Sequence, residues 1–141
     1  MGNTKSEATG KTIQTLPSTT PTIRVLAMST DTNANGDIFG GWIMSQVDIA
    51  ASIVAHRYAG TRVVTVAVNS FQFKKPVYVG DLISCYATVK KVGNTSITLL
   101  VEVYAERDRQ QVDVVKVTEA TLTFVAVDEK GKPQAVRTLN A

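Results

Sequence analysis

One helix-length run constrains the fold of this chain more than any other feature. After Gly40-Gly41, the stretch from Trp42 to about Tyr58 contains no proline or glycine until Gly60, room for about four turns of helix. Everything after Gly60 has the two-residue period of strands. Val64, Val66 and Val68 alternate with Thr65, Ala67 and Asn69, and Phe71 and Phe73 continue the segment. Pro76 and Gly80-Asp81 mark a turn, Leu82 to Val92 a strand, and Gly93-Asn94 a tight hairpin. The next strand alternates Thr95, Ile97, Leu99, Val101 and Val103 with Ser96, Thr98, Leu100, Glu102 and Tyr104. A polar turn from Arg107 to Gln111 leads into a last strand, where Val115, Val117, Thr121, Thr123, Val125 and Val127 share one parity. A short strand in Thr22 to Met28 precedes the helix. One helix and five strands on short connections predict an α+β fold, an antiparallel five-stranded sheet wrapped around one long central helix.

At 141 residues, 44% of them hydrophobic, the chain can build one core and is too short for two. Residues 22–133 form the expected domain. Residues 1–21, rich in Thr, Ser and Gly and without the apolar stretch of a signal peptide, read as a flexible leader, and 134–141 as a short tail. No apolar run approaches the ~20 residues that cross a bilayer, so no membrane partner is expected. The single Cys85 permits no intrachain disulfide, and a reducing cytoplasm is the expected location. The net charge of +3 resides in the pairs Lys74-Lys75 and Lys90-Lys91 and in isolated residues such as Arg57 and Arg62. Without interleaved aromatics these cations do not suit nucleic acid, though a few could hold a small polyphosphate.

Plotted at 100° per residue, the helix is apolar nearly all round, as for a helix enclosed by protein. Trp42, Ile43, Val47, Ile53 and Val54 form a bulky side expected to pack on the sheet. Gly41, Met44, Ser45, Ala51, Ser52 and Ala55 share the smaller side with Asp48, which leaves room for a ligand or a closely approaching subunit. An unpaired buried carboxylate carries a desolvation penalty of several kcal/mol, so something must compensate Asp48 or use it. A structural hydrogen bond and a chemical role both stay open on this pattern.

The loop before the helix offers a rival. Asp31-Thr32-Asn33-Ala34-Asn35-Gly36-Asp37-Ile38 matches the first eight positions of an EF-hand calcium loop, but the twelfth position, where a bidentate Glu is required, is Trp42. A strand-like segment also stands where an EF-hand needs a helix. No metal is therefore expected. Asn35-Gly36 reads instead as a tight turn that feeds Phe39-Gly40-Gly41 into the helix N-terminus, where free N–H groups favour negative charge. An oxyanion on a thioester carbonyl is one candidate occupant; the alternative is a plain loop-to-helix corner.

In order, Asp31-Thr32-Asn33, Gly36, Phe39-Gly40-Gly41, Met44 and Asp48 resemble the signature of the hotdog-fold acyl-CoA thioesterases, and Thr30 to Asp48 is similar to their bacterial YciA type. Three further segments resemble the family in the same order: Arg62-Val63-Val64-Thr65-Val66, Lys75-Pro76-Val77-Tyr78-Val79-Gly80-Asp81 and Val92-Gly93-Asn94-Thr95-Ser96. The resemblance spans 22–133. It implies a dimer with active sites at its interface, assembled as a trimer of dimers, and an acyl-CoA thioester hydrolase. It implies Asp48 as the catalytic carboxylate, Asn33 as its partner from the facing subunit, and Thr65 near the reacting centre. Arg62, Lys75 and Ser96 are the expected coenzyme A contacts. No cofactor is required, coenzyme A being part of substrate and product.

The chemistry suits that inventory. A thiolate leaves readily, since a simple thiol has a pKa near ~8.5, and a strong general acid is not essential. Asp48 could activate water as general base or attack directly to form an anhydride, while Asn33 positions water or carbonyl and the Gly40-Gly41 amides, that of Gly41 among them, stabilise the oxyanion. The lone His56, about 80° round the helix from Asp48, reads as a local cap. Cys85 reads as buried filler. A non-catalytic acyl-CoA binding module would bind coenzyme A without releasing thiol. A calcium-binding oligomer would show a melting shift with calcium and none with coenzyme A.

Overall fold

The computed structural model describes residues 13–108 and 110–137, so most of the expected leader and the end of the tail lie outside the described residues. The elements follow in the order β1 (Ile23–Leu26), a single 3₁₀ turn (Ser29–Asp31), α1 (Gly40–Ala59), β2 (Arg62–Phe73), β3 (Leu82–Val92), β4 (Ser96–Arg107) and β5 (Asp113–Val127). All strand pairs are antiparallel, in the order β1-β3-β4-β5-β2, so β1 and β2 form the two edges. Helix α1 lies across β2, β3, β4 and β5. The expected architecture of one helix held by a five-stranded sheet is the one observed.

The helix is delimited by the glycines that flank it. It begins at Gly40 and ends where Gly60 takes the left-handed conformation (φ 70°), its N–H bonding the His56 carbonyl at 3.0 Å. His56 thus serves the cap through its backbone, with its side chain exposed.

The face that packs on the sheet differs from the expected one. Ile43 and Val47 are buried, but the rest of the contact is Ala50, Ala51, Ala55 and Ala59, all at 0% exposure. Ala51 and Ala55, expected beside Asp48, face the sheet instead, while Trp42, Ile53 and Val54 are only partly buried. The reason is distance: a curved sheet brings α1 close to the strands along its whole length, and methyl-sized side chains fit that gap. Opposite them are Ile83, Cys85, Ile97, Leu99, Val101, Val103, Leu122 and Phe124. The outward side of α1 carries Met44 (41% exposed) and Ile49 (46%) in the single chain.

Strand β5 also changes face partway. Val103 pairs with Thr118 but Tyr104 pairs with Lys116, leaving Val117 as an extra residue. Beyond that bulge Ala120, Leu122, Phe124 and Ala126 point at the helix, and Thr121, Thr123 and Val125, the parity marked by β-branched residues, turn to the other face. Burial pushes the Cys85 thiol up to about 12, so it stays protonated at neutral pH and is no nucleophile.

Because the alanine face sets the helix-to-sheet distance, Ala51→Leu should overpack it and lower unfolding free energy by about 1–3 kcal/mol. Ser52→Ala, one position on and partly exposed, should stay within about 0.5 kcal/mol in the same urea titration.

Candidate active site

Two chemically active groups, seventeen positions apart in sequence, meet on the open side of α1. The Thr65 hydroxyl donates to Asp48 Oδ1 at 2.7 Å, while Oδ2 takes no hydrogen bond from the described residues. The contact depends on register. Thr65 pairs with Phe124, whose ring is buried under the helix, so Thr65 faces α1 near the middle of its length. The strand is irregular directly after it, between Thr65 and Ala67 and again between Val68 and Ser70. Asp48 is half-buried in the single chain, less enclosed than an aliphatic helix suggested, because no part of the same sheet covers the outward side of α1.

Asn33 is held elsewhere. Its Oδ1 accepts the backbone N–H of Asn35 (2.9 Å) and Asp37 (3.2 Å), and its own N–H bonds the Asp37 carbonyl at 2.7 Å. The oxygen that the calcium-like spacing aims at a cation therefore organises the turn. Its Nδ2 has no partner among the described residues and is free to donate. Asn33, Gly40, Ile43, Phe73, Lys74 and Lys75 are among the residues lining a cleft of about 300 Å³. Phe73 closes one wall, its ring 3.2 Å from where a Cβ on Gly40 would stand. Any side chain at Gly40 would displace that ring. The Gly40 and Gly41 amides have no acceptor among the described residues, and Gly41 faces open space.

A buried ion pair fixes this cleft from behind. Asp81, 2% exposed, accepts the Arg107 guanidinium at 2.8 Å and the Tyr78 N–H at 2.9 Å. Arg107 also bonds the Pro76 carbonyl (3.2 Å) and lies over the Tyr78 ring, 4.8 Å from its centroid. The Ile38 N–H bonds the Val77 carbonyl at 3.0 Å, tying the Asn33 loop to the Lys75 turn. Sequence reasoning missed Phe73 and Lys74 as cleft residues and Arg107 as the anchor. The two lysines were visible as a pair; the anchor required knowing that β3 and β4 align Leu82 with Glu106.

The remaining expected contacts are dispersed. Arg62 lies at the start of β2 in a different cleft with Gln134 and Arg137, and among the described residues its guanidinium makes one long bond, to the Glu129 carbonyl (3.4 Å). Lys75 follows the far end of the same strand, roughly 35 Å along it from Arg62. Ser96 opens β4, beside Gly93, and lines neither cleft. Gly41 stands seven residues before Asp48, about 10 Å along the helix axis. One protomer therefore brings together Asp48 and Thr65, and separately Asn33, Gly40 and Lys75, but not the two groups.

The family model described as "Thioesterase superfamily" matches residues 35–112. A relative from Escherichia coli K12, named acyl-CoA thioester hydrolase YciA, is 48% identical over 116 residues, 81% of this chain and 88% of its own. The crystal structure of a hexameric hotdog-fold thioesterase of Campylobacter jejuni superimposes with a TM-score of 0.81 at 45% identity, covering 84% of this chain and 91% of that one. An acyl-CoA hydrolase from Staphylococcus aureus, 32% identical, was solved as an Asn-to-Ala variant with coenzyme A (TM-score 0.77; 82% of this chain, 69% of that one). Its Asp-to-Ala variant gives a TM-score of 0.73 and covers 82% of this chain and 71% of that one.

Removing the Asp81 carboxylate leaves Arg107 without its anion in a mostly buried setting. Asp81→Ala should cost about 3 kcal/mol or more, read from the urea midpoint.

Proposed function

This chain belongs to the thioesterase superfamily, among its hotdog-fold acyl-CoA thioester hydrolases of the YciA type, and on that premise we propose that it hydrolyses fatty acyl-CoA thioesters at a site shared between two subunits. The observation that carries the reading is the Asp48–Thr65 pair, a carboxylate oriented by a hydroxyl on the open side of a helix, with one oxygen left free. In the Staphylococcus aureus hydrolase the substituted Asn and Asp are fifteen positions apart, the spacing of Asn33 and Asp48.

The division between subunits follows from distances. A single carbonyl cannot touch both Asp48 and the Gly41 amide of the same helix when about 10 Å separates them. Strand β2 is an edge with Val64, Val66 and Val68 exposed, an open template for a second copy. Antiparallel β2–β2 pairing about a two-fold axis sets the Arg62 end of one protomer beside the Lys75 end of the other. It also carries the partner's Asn33–Gly40–Lys75 cleft toward Asp48 and Thr65. Each dimer then holds two equivalent sites, in which Arg62 and Lys75 come from different chains and reach the phosphates of one coenzyme A. Three such dimers make the hexamer. Ser96 takes no part that this geometry supports, and its contact stays the weakest of the set.

In the reaction, Thr65 holds Asp48 through Oδ1, and Oδ2 faces the substrate. Acting as a base, Asp48 takes a proton from water as the water oxygen attacks the carbonyl; the facing Asn33 Nδ2 and Gly41 N–H stabilise the oxyanion. Collapse of the tetrahedral intermediate expels coenzyme A as thiolate and leaves the free acid. Direct attack by Asp48 would give an anhydride that water then opens, with the same products. With Cys85 buried and unpaired, the reading places the enzyme in the cytoplasm.

Asp48→Asn should lower turnover by about 10²-fold or more in a thiol-release assay while preserving assembly. Asn33→Ala should be similarly impaired, and the two inactive variants co-expressed should regain activity. A mixed dimer has one doubly altered site and one intact site. Absence of rescue, with mixed dimers demonstrated by mass, would place both groups on one chain. Thr65→Val should cost about tenfold, the loss of a hydrogen bond to a charged group.

A further inference from the structure

We propose that Arg107 is a positioning residue for the reaction and that it acts on hydrolysis at the Asp48 of a second protomer, an inference that rests on the shared site described above. Among the described residues, the segment 32–38 makes one backbone hydrogen bond outside residues 28–39, from the Ile38 N–H to the Val77 carbonyl. That carbonyl shares a peptide unit with the Tyr78 N–H, which donates to Asp81 Oδ2 at 2.9 Å. A trans peptide is planar, with its N–H and C=O on opposite sides, so the bond to Asp81 aims the Val77 carbonyl at Ile38. The preceding peptide unit is held as well: the Pro76 carbonyl accepts from Arg107 Nη2 at 3.2 Å, and the same nitrogen reaches Asp81 Oδ2 at 2.8 Å. One ion pair thus grips both peptide units that meet at Val77.

What the pair grips is the wall of the cleft. Pro76, Val77 and Ile38 line that cleft with Asn33 and Lys75; Arg107 does not, and lines a separate groove with Leu26 and Val112. Val77 (1% exposed), Ile38 (5%) and Asp81 (2%) are packed away from water, so a shift of the turn is passed on to the Asn33 loop. Asn33 cannot compensate by rotating its side chain, because its Oδ1 is bound to the Asn35 and Asp37 amides of the same loop. The direction of Nδ2 therefore follows the loop as a body.

Asp48 and Thr65 stand outside this chain of contacts. Their side chains bond each other between α1 and β2, and among the described residues neither shares a hydrogen bond with the turn or the loop. Loss of the clamp leaves a protomer's own carboxylate in place and displaces Asn33 and Lys75, which the shared site offers to the carboxylate of the other chain. A misplacement of about 1 Å at such a group costs up to about 10²-fold in rate.

Arg107→Lys tests this, since it keeps a cation for Asp81 and gives up the planar group stacked on the Tyr78 ring. The expected result is a cooperative melt, unchanged assembly and a kcat on acyl-CoA lower by about tenfold or more. If that variant does not melt cooperatively, Arg107→Gln, which retains a planar donor for the Pro76 carbonyl, is measured in the same way. Co-expression then tells positioning from lost stability. Mixed dimers of the Arg107 variant with Asp48→Asn, confirmed by native mass, contain one site free of both changes and should regain turnover. Mixed dimers with Asn33→Ala contain none and should stay low. Wild-type kcat in the Arg107 variant overturns the proposal, as does rescue by Asn33→Ala, or no rescue by Asp48→Asn where Asn33→Ala and Asp48→Asn rescue each other. If those last two do not rescue each other, it is the shared site that falls, and action on a second protomer falls with it.

Discussion

The structure depends on one close approach, a single helix lying against the four longer strands with mostly methyl-sized side chains on its own face. Four alanines on α1 set that distance, and the larger apolar groups are supplied by the sheet. A lone helix cannot cover a curved sheet and also be enclosed on its far side. The near face is therefore dry and narrow, and the far face keeps Met44 and Ile49 exposed in the single chain. Asp48 lies between these two regimes, near enough to β2 for Thr65 to hold it and far enough out to be half-buried in the single chain.

The same constraint keeps the two groups of polar residues apart within one protomer. Free amides at a helix start and a carboxylate two turns further on are about 10 Å apart along the axis, whatever their side chains. The glycines at 40 and 41 nevertheless leave free amides beside a cleft that also holds Asn33 and Lys75. Two half-sites that each lack what the other carries are the geometric basis for reading the active unit as a pair.

Much of the fold was legible in the sequence because its signals are local: helix-flanking glycines, the Gly93 hairpin and the alternation in β4 all appear where expected. The misread features are those set by packing. Bulk suggested that Trp42, Ile53 and Val54 face the sheet, whereas the gap admits alanine; the single parity read along β5 is broken by the bulge at Val117. At the site, Asp48 stood out as a carboxylate among aliphatics, and its bond to Thr65 could not, since that depends on how far β2 runs before its first irregularity. Arg107 was likewise invisible as a partner of Asp81, the two being brought together only by the pairing of β3 with β4.

The extra residue at Val117 also bears on how such a chain can diverge. Losing Val117 itself would leave Lys116 opposite Tyr104 and Thr118 opposite Val103, but losing one residue beyond the bulge, such as Glu119, would turn Ala120, Leu122, Phe124 and Ala126 away from the helix together and press polar neighbours into their place. A deletion at this point therefore acts on the folded chain much as a frameshift acts on a message, scrambling all that follows up to the strand's end. Descendants of this sequence are free to change their letters here, and far less free to change their count.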